Sequence, residues 1–439
     1  MKILCLLLKL NILFIVVDSL RPDRILGSEK SAITPNIDKL INSGTYFSNV
    51  TSSIPATKRA TASLLTSLHP FNTSSTNDNF FKLKPTLKTH FSILKNNDYS
   101  VFGLVPELFS TTNLFSDVEN KDLFYDNIFD RLHNRLDDRI INLVNSIKSK
   151  SPWVCYIHLL DLIHPVISHG KFDDKKYGKD HYDRIISNID SFLGDLLKQI
   201  SLSDTLVVLT ADHGNYIPTL KTNNKIISAE STSLFKLTWK LDAIFPKRFR
   251  PISQKLYNYY KLKTSKKLSS EIETSQLTQY EQRIFENIIG HTRDIHDESI
   301  MIPLLMVGKN LPPTHFSDNI RQIDIFPTLF DFLDIKYKAN FDGVSLFSSI
   351  QKNHFSPLVS YIENLPSKEN SWQKIIAIRT QNYKFARSID SRANIELYDL
   401  KNDPLEQNNI SLKEPKLVSK FENILNSIVS INHQHKKNS

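Results

Sequence analysis

Continuous apolar runs of strand length recur along this 439-residue chain, each bounded by polar or turn residues. A continuous apolar run, unlike an alternating one, is typical of a strand that is buried on both faces, as in a parallel sheet. The pattern predicts five such strands, at residues 12–17, 100–105, 153–160, 205–210 and 302–308.

Helical patterns lie between these runs. The segment TPNIDKLINSG, residues 34–44, has Thr34 in the N-cap position, Pro35 at the first helical position and Gly44 as a stop signal, with its apolar residues on one face. Alternation of strands and helices indicates an α/β fold, and we predict a mostly parallel central sheet flanked by helices.

Two later segments depart from this alternation. Residues 215–289 have a basic and aromatic portion followed by a polar helical stretch, which predicts a helical insertion into the main domain. After residue 350 the sequence alternates as short half-buried strands do. We therefore predict a main domain over residues 10–350, which contains the insertion, and a smaller C-terminal subdomain over 351–439.

The net charge of +9 is concentrated in one segment. Residues 221–267 hold 12 Lys or Arg against two acidic residues, so this segment carries +10 and the rest of the chain is nearly neutral. This distribution argues against a nucleic-acid-binding surface. Apolar and basic residues interleave between 217 and 267, a pattern compatible with contact with an anionic substrate or the periphery of a membrane. A helical insertion with a solvated basic face is the alternative.

The N-terminus and the two cysteines argue against a cleavable signal peptide, a disulfide framework and a cysteine metal site. Lys9 and Asn11 interrupt the apolar start MKILCLLLKLNILFIVVD, and no small-residue cleavage site follows. We therefore expect no cleavable signal peptide, and a location in the cytoplasm or at the membrane periphery. Cys5 and Cys155 lie in apolar runs, so we expect buried, inert thiols rather than a disulfide or a cysteine metal site.

Chemically active side chains follow three of the predicted strands. Asp18 ends the first run, Asp161 and His164 follow the third, and Asp212 with His213 follows the fourth. Ligands of open α/β sheets bind beyond the carboxyl ends of the strands. Carboxylates and imidazoles gathered at that edge suit a divalent metal ion.

The ordered set of motifs resembles the sulfatase family of the alkaline phosphatase superfamily. NILFIVVDSLRPD is similar to the family's first strand and metal-binding aspartate, TASLLTSLHP to the helix behind the nucleophile, LTADHGN to the second metal motif, and LYDLKNDPLEQNN to the C-terminal signature. The resemblance implies a mixed, mostly parallel sheet and hydrolysis of a sulfate or phosphate ester. It also implies a divalent cation, zinc, manganese or calcium, with a second ion left open.

The resemblance places Thr57 at the nucleophile position. The family usually has a cysteine or serine there that is oxidised to formylglycine, and threonine does not undergo that conversion. An alternative frame puts the nucleophile at Ser53, followed by Pro55, and needs four extra residues before the helix. A threonine at a helix start, taken alone, is most often an N-cap. Within the family pattern we interpret Thr57 as a nucleophile that a metal ion activates.

The same resemblance assigns the metal ligands. It implies that Asp18, Asp212 and His213 bind the cation, with Thr57 as a further ligand. The family commonly has a second aspartate directly after the first, and here Ser19 stands in that place.

Other residues receive roles on the substrate side. The resemblance implies that His164 lies beside the substrate and that His291 donates a proton to the leaving group or binds a second metal ion. Lys58 and Arg59 are candidate anion-binding residues, with a surface role as the alternative. Four histidines are interpreted as structural or surface residues, namely His69, His158, His169 and His296.

Substrate chemistry stays open between related reactions. Many sulfatases have a Lys-x-His pair where Pro106 and Leu108 stand here, so two sulfate-binding side chains are absent. The alternatives to a sulfatase are a phosphodiesterase or a transferase of a phospho-linked head group. A catalytically silent relative that binds an anionic glycan or lipid is the alternative from another class.

Overall fold

The computed structural model describes residues 9–74, 81–127, 129–163, 166–217, 277–288, 295–364, 374–389 and 394–435, residue 259, and the backbone of 219–221 and 226–228. The strands are β1 (Asn11–Val17), β2 (Thr45–Thr51), β3 (Ser100–Pro106), β4 (Phe124–Tyr125), β5 (Trp153–Leu159), β6 (Thr205–Thr210), β7 (Thr219–Lys221), β8 (Ile226–Ser228), β9 (Met301–Val307), β10 (Thr314–Phe316), β11 (Ile320–Arg321), β12 (Ser360–Glu363), β13 (Ile375–Arg379), β14 (Tyr383–Ser388) and β15 (Glu396–Asp399). The described helices are α1 (Pro35–Ser43), α2 (Thr57–Thr66), α3 (Pro70–Thr73), α4 (His90–Asn96), α5 (Asp137–Ile147), α6 (His181–Leu197), α7 (Gln279–Ile288), α8 (Asp297–Ile300), α9 (Ile325–Phe332), α10 (Phe347–Lys352) and α11 (Pro415–His435).

A nine-stranded mixed sheet, flanked by helices, forms the centre of the fold. Its strand order is β10-β2-β9-β6-β1-β5-β3-β4, and β11 also pairs with β2. Strand β1 lies between β5 and β6 and is parallel to both. Strand β9 is antiparallel to its neighbours β2 and β6. The predicted α/β class and the mostly parallel sheet are confirmed.

The five predicted strands are all present as β1, β3, β5, β6 and β9. Every residue of β1, β5 and β6 is buried, as their continuous apolar runs predict. The apolar run of β9 predicts burial on both faces but not strand direction, and this strand runs opposite to the other four. Cys155 is a buried free cysteine whose pKa burial raises to about 12, whereas Cys5 lies outside the described residues.

The helix predicted at residues 34–44 is α1, with Pro35 at its first position. The Thr34 hydroxyl donates to Oδ1 of Asp38 at 2.9 Å rather than capping the backbone. Another helix, α2, follows β2 after a short loop and begins at Thr57. This loop brings the start of α2 to the carboxyl ends of β1 and β6.

A second sheet lies in the predicted C-terminal region. Its four antiparallel strands have the order β12-β13-β14-β15. Phe385 and Leu397 of this sheet pack with Phe421 and Leu425 of α11 in a separate apolar core. These strands are more buried than the half-buried pattern that the sequence predicts.

Most of the predicted basic insertion, including most of the 217–267 segment proposed to contact a membrane or substrate, lies outside the described residues. The part of it that the structure does describe includes the antiparallel pair β7–β8 and helix α7. Among the described helices, none combines the length and hydrophobicity that a membrane span requires.

Candidate active site

Three elements bring predicted site residues together. Asp18 directly follows β1, Asp212 and His213 follow β6, and Thr57 is the first residue of α2. The Thr57 hydroxyl donates to Oδ2 of Asp18 at 3.0 Å and lies 3.2 Å from Nε2 of His213. The fold therefore places a hydroxyl, a carboxylate and an imidazole in direct contact.

The Thr57 side chain does not cap its own helix. The N-cap residue of α2 is Ala56, which has extended backbone angles, and no side chain caps this end. The Thr57 hydroxyl instead points towards Asp18 and His213. This geometry removes the N-cap interpretation that an isolated threonine at a helix start would receive.

Asp18 and Asp212 form a buried pair of carboxylates, and neither side chain is exposed. Burial raises the pKa of Asp18, but the nearby imidazoles of His158 and His213 outweigh it and lower that pKa to about 2. Burial and the negative charge of Asp18 raise the pKa of Asp212 to about 6. Two such groups at one place need positive charge between or beside them.

The backbone of Asp212 is held from two directions. Its carbonyl oxygen accepts hydrogen bonds from Ser52 Oγ at 2.7 Å and Gln322 Nε2 at 2.6 Å. Its side-chain Oδ1 accepts from the backbone N–H groups of His213 at 2.8 Å and Ser19 at 3.2 Å. Oδ1 is therefore satisfied, whereas Oδ2 is buried and finds no hydrogen-bond partner among the described residues.

The orientation of His213 is fixed by its own loop. Its Nδ1 lies 2.6 Å from the carbonyl oxygen of Gly214, which can only accept a hydrogen bond, so Nδ1 carries a hydrogen and donates it. Nε2 is then the ring nitrogen that faces Thr57 Oγ. Burial alone would lower the pKa of His213, but the carboxylates of Asp212 and Asp18 raise it above its ordinary value.

His158 joins this cluster, although the sequence analysis interpreted it as structural. It lies inside β5 with no exposed surface, and its Nε2 is 3.5 Å from Oδ2 of Asp18. Asp18, His158 and Asp212 each offer one ligand atom, and these atoms lie within 4.8 Å of one another. The sequence carries no signal for this contact, which follows from the sheet register: His158 pairs with Val16, two residues before Asp18.

A divalent cation fits these residues. Two carboxylates and an imidazole are a donor set that such ions take, and His158 Nε2 and Asp212 Oδ2 are both buried without a hydrogen-bond partner among the described residues. Asp161, which also follows β5, does not belong to this group of close ligand atoms, and its Oδ1 accepts from the backbone N–H of Leu132 at 3.0 Å.

The other predicted residues have mixed outcomes. Lys58 and Arg59 follow Thr57 in the first turn of α2 and are both partly exposed, and the Arg59 guanidinium lies over the Phe81 ring at 5.6 Å. His164 and His291 lie outside the described residues. The alternative nucleophile Ser53 is buried, and its carbonyl oxygen accepts from the N–H of Glu363 at 2.9 Å.

Comparison with known proteins places this arrangement in a family. Residues 10–335 match the family model described as sulfatase, and residues 287–433 match the model described as N-sulphoglucosamine sulphohydrolase, C-terminal. Arylsulfatase K of Bos taurus is 26% identical over 148 residues, which make up 31% of this chain and 27% of that protein. The chain thus matches about a quarter of the length of this curated relative.

Solved structures agree over nearly the whole chain. A 2-O GAG sulfatase is 16% identical with a TM-score of 0.63, and the match covers 98% of this chain and 94% of that one. The phosphonate monoester hydrolase of Agrobacterium radiobacter is 14% identical with a TM-score of 0.64, covering 97% and 96%. These similarities show a shared fold. Because the sulfatase model matches well over half of the chain, from β1 through α9, the chain belongs to the sulfatase family.

Proposed function

We propose that this chain hydrolyses an anionic ester, a sulfate or phosphate ester, with Oγ of Thr57 as the nucleophile. The observation that carries the proposal is the contact of the Thr57 hydroxyl with both Asp18 and His213 at the start of α2. A threonine hydroxyl attacks slowly at neutral pH unless a neighbouring group takes its proton or stabilises its alkoxide. Both neighbours have an atom that accepts a proton.

The reaction divides into two displacements. In the first, Oγ of Thr57 bonds to the phosphorus or sulfur, the bond to the alcohol oxygen breaks, and the proton from Thr57 passes through a neighbouring acceptor to the departing alcohol. In the second, water attacks the same phosphorus or sulfur, the bond to Oγ breaks, and Thr57 recovers its proton as the inorganic anion leaves. Nothing is oxidised or reduced, and Thr57 ends as it began.

The chain's own residues would hold the cation that the family uses. Asp18 and His213 contact the Thr57 hydroxyl, and Asp212 Oδ2, 3.5 Å from His213 Nε2, has no hydrogen-bond partner among the described residues and is available to an ion. When bound, a divalent cation supplies positive charge that favours the threonine alkoxide and offsets the charge of the ester oxygens. A second ion would need further ligands, and His291 is the residue that the resemblance offers for it.

The start of α2 offers positive potential to the ester. The first turn of a helix has N–H groups without partners inside the helix, and the helix dipole makes this end partly positive. Lys58, partly exposed in the same turn, adds a cation. These features support binding of a sulfate or phosphate group next to Thr57.

The threonine favours phosphate esters over sulfate esters. A formylglycine enzyme expels sulfate from a hydrated aldehyde, and this route is closed to Thr57, which needs water to attack the covalent ester directly. Metal-assisted displacement at phosphorus is an established route for such esters. A phosphodiesterase or head-group transferase is the second candidate, and the fold shared with the phosphonate monoester hydrolase supports phosphorus chemistry.

The test compares substrates and variants of the purified protein. We expect turnover of an aryl phosphate or phosphodiester to exceed that of the matched aryl sulfate with zinc or manganese added. Thr57→Ala should lower turnover by at least about 1,000-fold, and Thr57→Ser should retain part of it. Mass spectrometry of acid-quenched enzyme should find phosphate on the peptide that contains Thr57.

Thr66→Ala is the matched control, because Thr66 lies in the same helix and its hydroxyl donates to the carbonyl oxygen of Ala62 rather than into the site. This control should retain full turnover. Faster turnover of aryl sulfates, or full activity of Thr57→Ala, would contradict the assignment and make Ser53 or a bound water the candidate nucleophile. Wild-type protein that binds metal ions but turns over none of the three substrates would support the silent relative.

A further inference from the structure

We infer that His158 serves as the metal ligand that this chain uses in place of the missing carboxylate at position 19. The inference rests on the cation site proposed above and identifies its chemistry further. Ser19 cannot fill that place as a carboxylate would, since its hydroxyl donates to Oδ1 of Asp18 at 2.7 Å. Ser19 therefore stabilises Asp18 and adds no negative charge.

The distance between His158 and Asp18 fits two ligands of one metal ion better than it fits a hydrogen bond. Nε2 lies 3.5 Å from Asp18 Oδ2, beyond the roughly 2.7–3.2 Å of an ordinary N–H···O bond. Two ligands each about 2.0–2.1 Å from a tetrahedral ion lie roughly 3.4 Å apart. The pair His213 Nε2 and Asp212 Oδ2 shows the same 3.5 Å separation.

The other end of the imidazole is supported by protein groups. Nδ1 of His158 lies 3.4 Å from the Tyr156 hydroxyl, and the His158 carbonyl oxygen accepts from the Tyr125 hydroxyl at 2.6 Å. The Phe109 ring packs against the imidazole edge-on at 5.0 Å. The backbone hydrogen bond and the packed ring fix the imidazole and leave Nε2 for the ion, as is typical of ligating histidines.

A buried histidine without such a role looks different in this same protein. His90 is as buried as His158, but its Nε2 lies 2.9 Å from the Ser67 hydroxyl and its ring stacks on Phe326. Its Nδ1 also lacks a hydrogen-bond partner among the described residues, but the ring packs among aromatic side chains. The unpartnered Nε2 of His158 lies 3.5 Å from a carboxylate instead.

Exchange of a carboxylate for an imidazole changes which ion the site prefers. Calcium takes six to eight oxygen ligands, and nitrogen ligands suit it poorly. Zinc and manganese accept imidazole together with carboxylate, and zinc is commonly four-coordinate. With His158 and His213 beside Asp18 and Asp212, the site should select zinc or manganese over calcium.

Metal titrations of the full-length protein test this directly. We expect the wild type to bind Zn²⁺ or Mn²⁺ by calorimetry at least about 100-fold more tightly than Ca²⁺, and His158→Ala to weaken zinc binding by at least about 100-fold. His90→Gln, the matched buried histidine, should leave zinc affinity unchanged. Bound Co²⁺ should show an absorption spectrum in the wild type that changes in His158→Ala.

A double variant tests the exchange of ligands, and His158→Gln, which keeps a polar side chain of similar size, replaces His158→Ala in both experiments if the alanine variant folds poorly. Ser19→Asp combined with His158→Ala restores the oxygen ligand, and Ser19 has a φ of 66°, which aspartate tolerates. This variant should recover metal binding with its preference moved towards Ca²⁺ or Mg²⁺.

The outcomes separate the two proposals. Equal zinc affinity of His158→Ala and the wild type would overturn the role of His158 while leaving the cation site intact. No divalent ion bound by the wild type would overturn the cation site itself. Recovery of zinc preference, rather than calcium preference, in the double variant would show that selectivity does not come from His158.

Discussion

Asp18 and Asp212 place two carboxylates with no exposed surface in one cluster, where the repulsion between their charges opposes stability. Hydrogen bonds from Ser19 and His213 satisfy one oxygen of Asp212, but Oδ2 faces the other carboxylate and the imidazoles without a hydrogen bond among the described residues. A buried charge that lacks compensation destabilises a fold. The metal-free protein should therefore be less stable than the metal-bound one.

Asp212→Asn tests this conflict between stability and function. The amide keeps the oxygen that accepts from Ser19 and His213 and removes the negative charge that repels Asp18. In EDTA we expect this variant to be more stable than the wild type by about 1–2 kcal/mol. Added zinc should raise the melting temperature of the wild type and leave that of the variant unchanged. A lower melting temperature of the variant in EDTA would show that the carboxylate stabilises the fold.

The sequence predicts most of this cluster but misses one residue. Asp18, Asp212 and His213 follow apolar runs directly, so parallel strand ends bring them together, and the family pattern adds Thr57. His158 escapes notice because it lies inside an apolar run, one residue before the end of β5. Only the register between β1 and β5 shows that it reaches Asp18.

At the scale of elements, the loop after β6 positions both Asp212 and His213. At Gly214 this loop packs closely against the backbone that precedes β9. The Gly214 N–H donates to the carbonyl oxygen of Ser299 at 2.9 Å. A Cβ atom on Gly214 would lie 2.4 Å from the carbonyl oxygen of Glu298, closer than such atoms approach. The nearest atoms are backbone carbonyl oxygens, which cannot rotate away as a side chain can, so the loop itself has to move to accommodate a Cβ atom.

Gly214→Ala should displace His213 from Thr57. We expect a loss of stability of about 1–3 kcal/mol from the clash, together with weaker zinc binding, because the ligand loop moves. Gly170→Ala provides a comparison, as its added Cβ meets no atom within 4 Å and its φ of 56° is the sole source of strain. That variant should keep zinc affinity. Thermal melts and calorimetry measure both quantities, and wild-type zinc affinity in Gly214→Ala would refute the positioning role of this glycine.

The elements themselves were largely predictable, whereas their arrangement was less so. Continuous apolar runs identify β1, β3, β5, β6 and β9 because burial on both faces needs apolar side chains at every position. The direction of β9 does not follow from that pattern, since an antiparallel strand in the middle of the sheet is equally buried. Strand β2 contains Ser48 and Asn49 and shows no continuous run.

On the scale of the whole molecule, a group of charged residues joins the C-terminal sheet to the central one. Lys384 of β14 is buried and lies 2.5 Å from Asp297 Oδ1 and 2.6 Å from Glu406 Oε1. Arg379 of β13 pairs with Asp297 at 2.8 Å and donates to Asn49 of β2 at 2.8 Å. Two cations thus meet on Asp297, in the short helix between the two sheets.

The carboxylate of Asp297 should make the protein sensitive to acid. Burial would raise its pKa, but Arg379 and Lys384 outweigh burial and hold that pKa well below its usual 3.8. A group whose pKa is lowered by folding stabilises the folded state at pH values above its unfolded pKa, and this stability is lost as the pH falls below about 4. Asp297→Asn should cost about 3 kcal/mol at pH 7, because it leaves Lys384 and Arg379 without their shared anion.

The difference between wild type and Asp297→Asn should shrink as the pH falls from about 5 towards 2, because the unfolded wild-type chain then takes up a proton at this carboxyl while the folded chain keeps it ionised, and the variant has no such group. Urea unfolding at several pH values measures this difference. Asp98→Asn is the control, because Asp98 pairs with Lys9 at the surface and its side chain is 88% exposed. It should change stability by less than about 1 kcal/mol at every pH. A constant difference between Asp297→Asn and the wild type from neutral to acid pH would show that the cost of the substitution comes from packing rather than from the charge of Asp297.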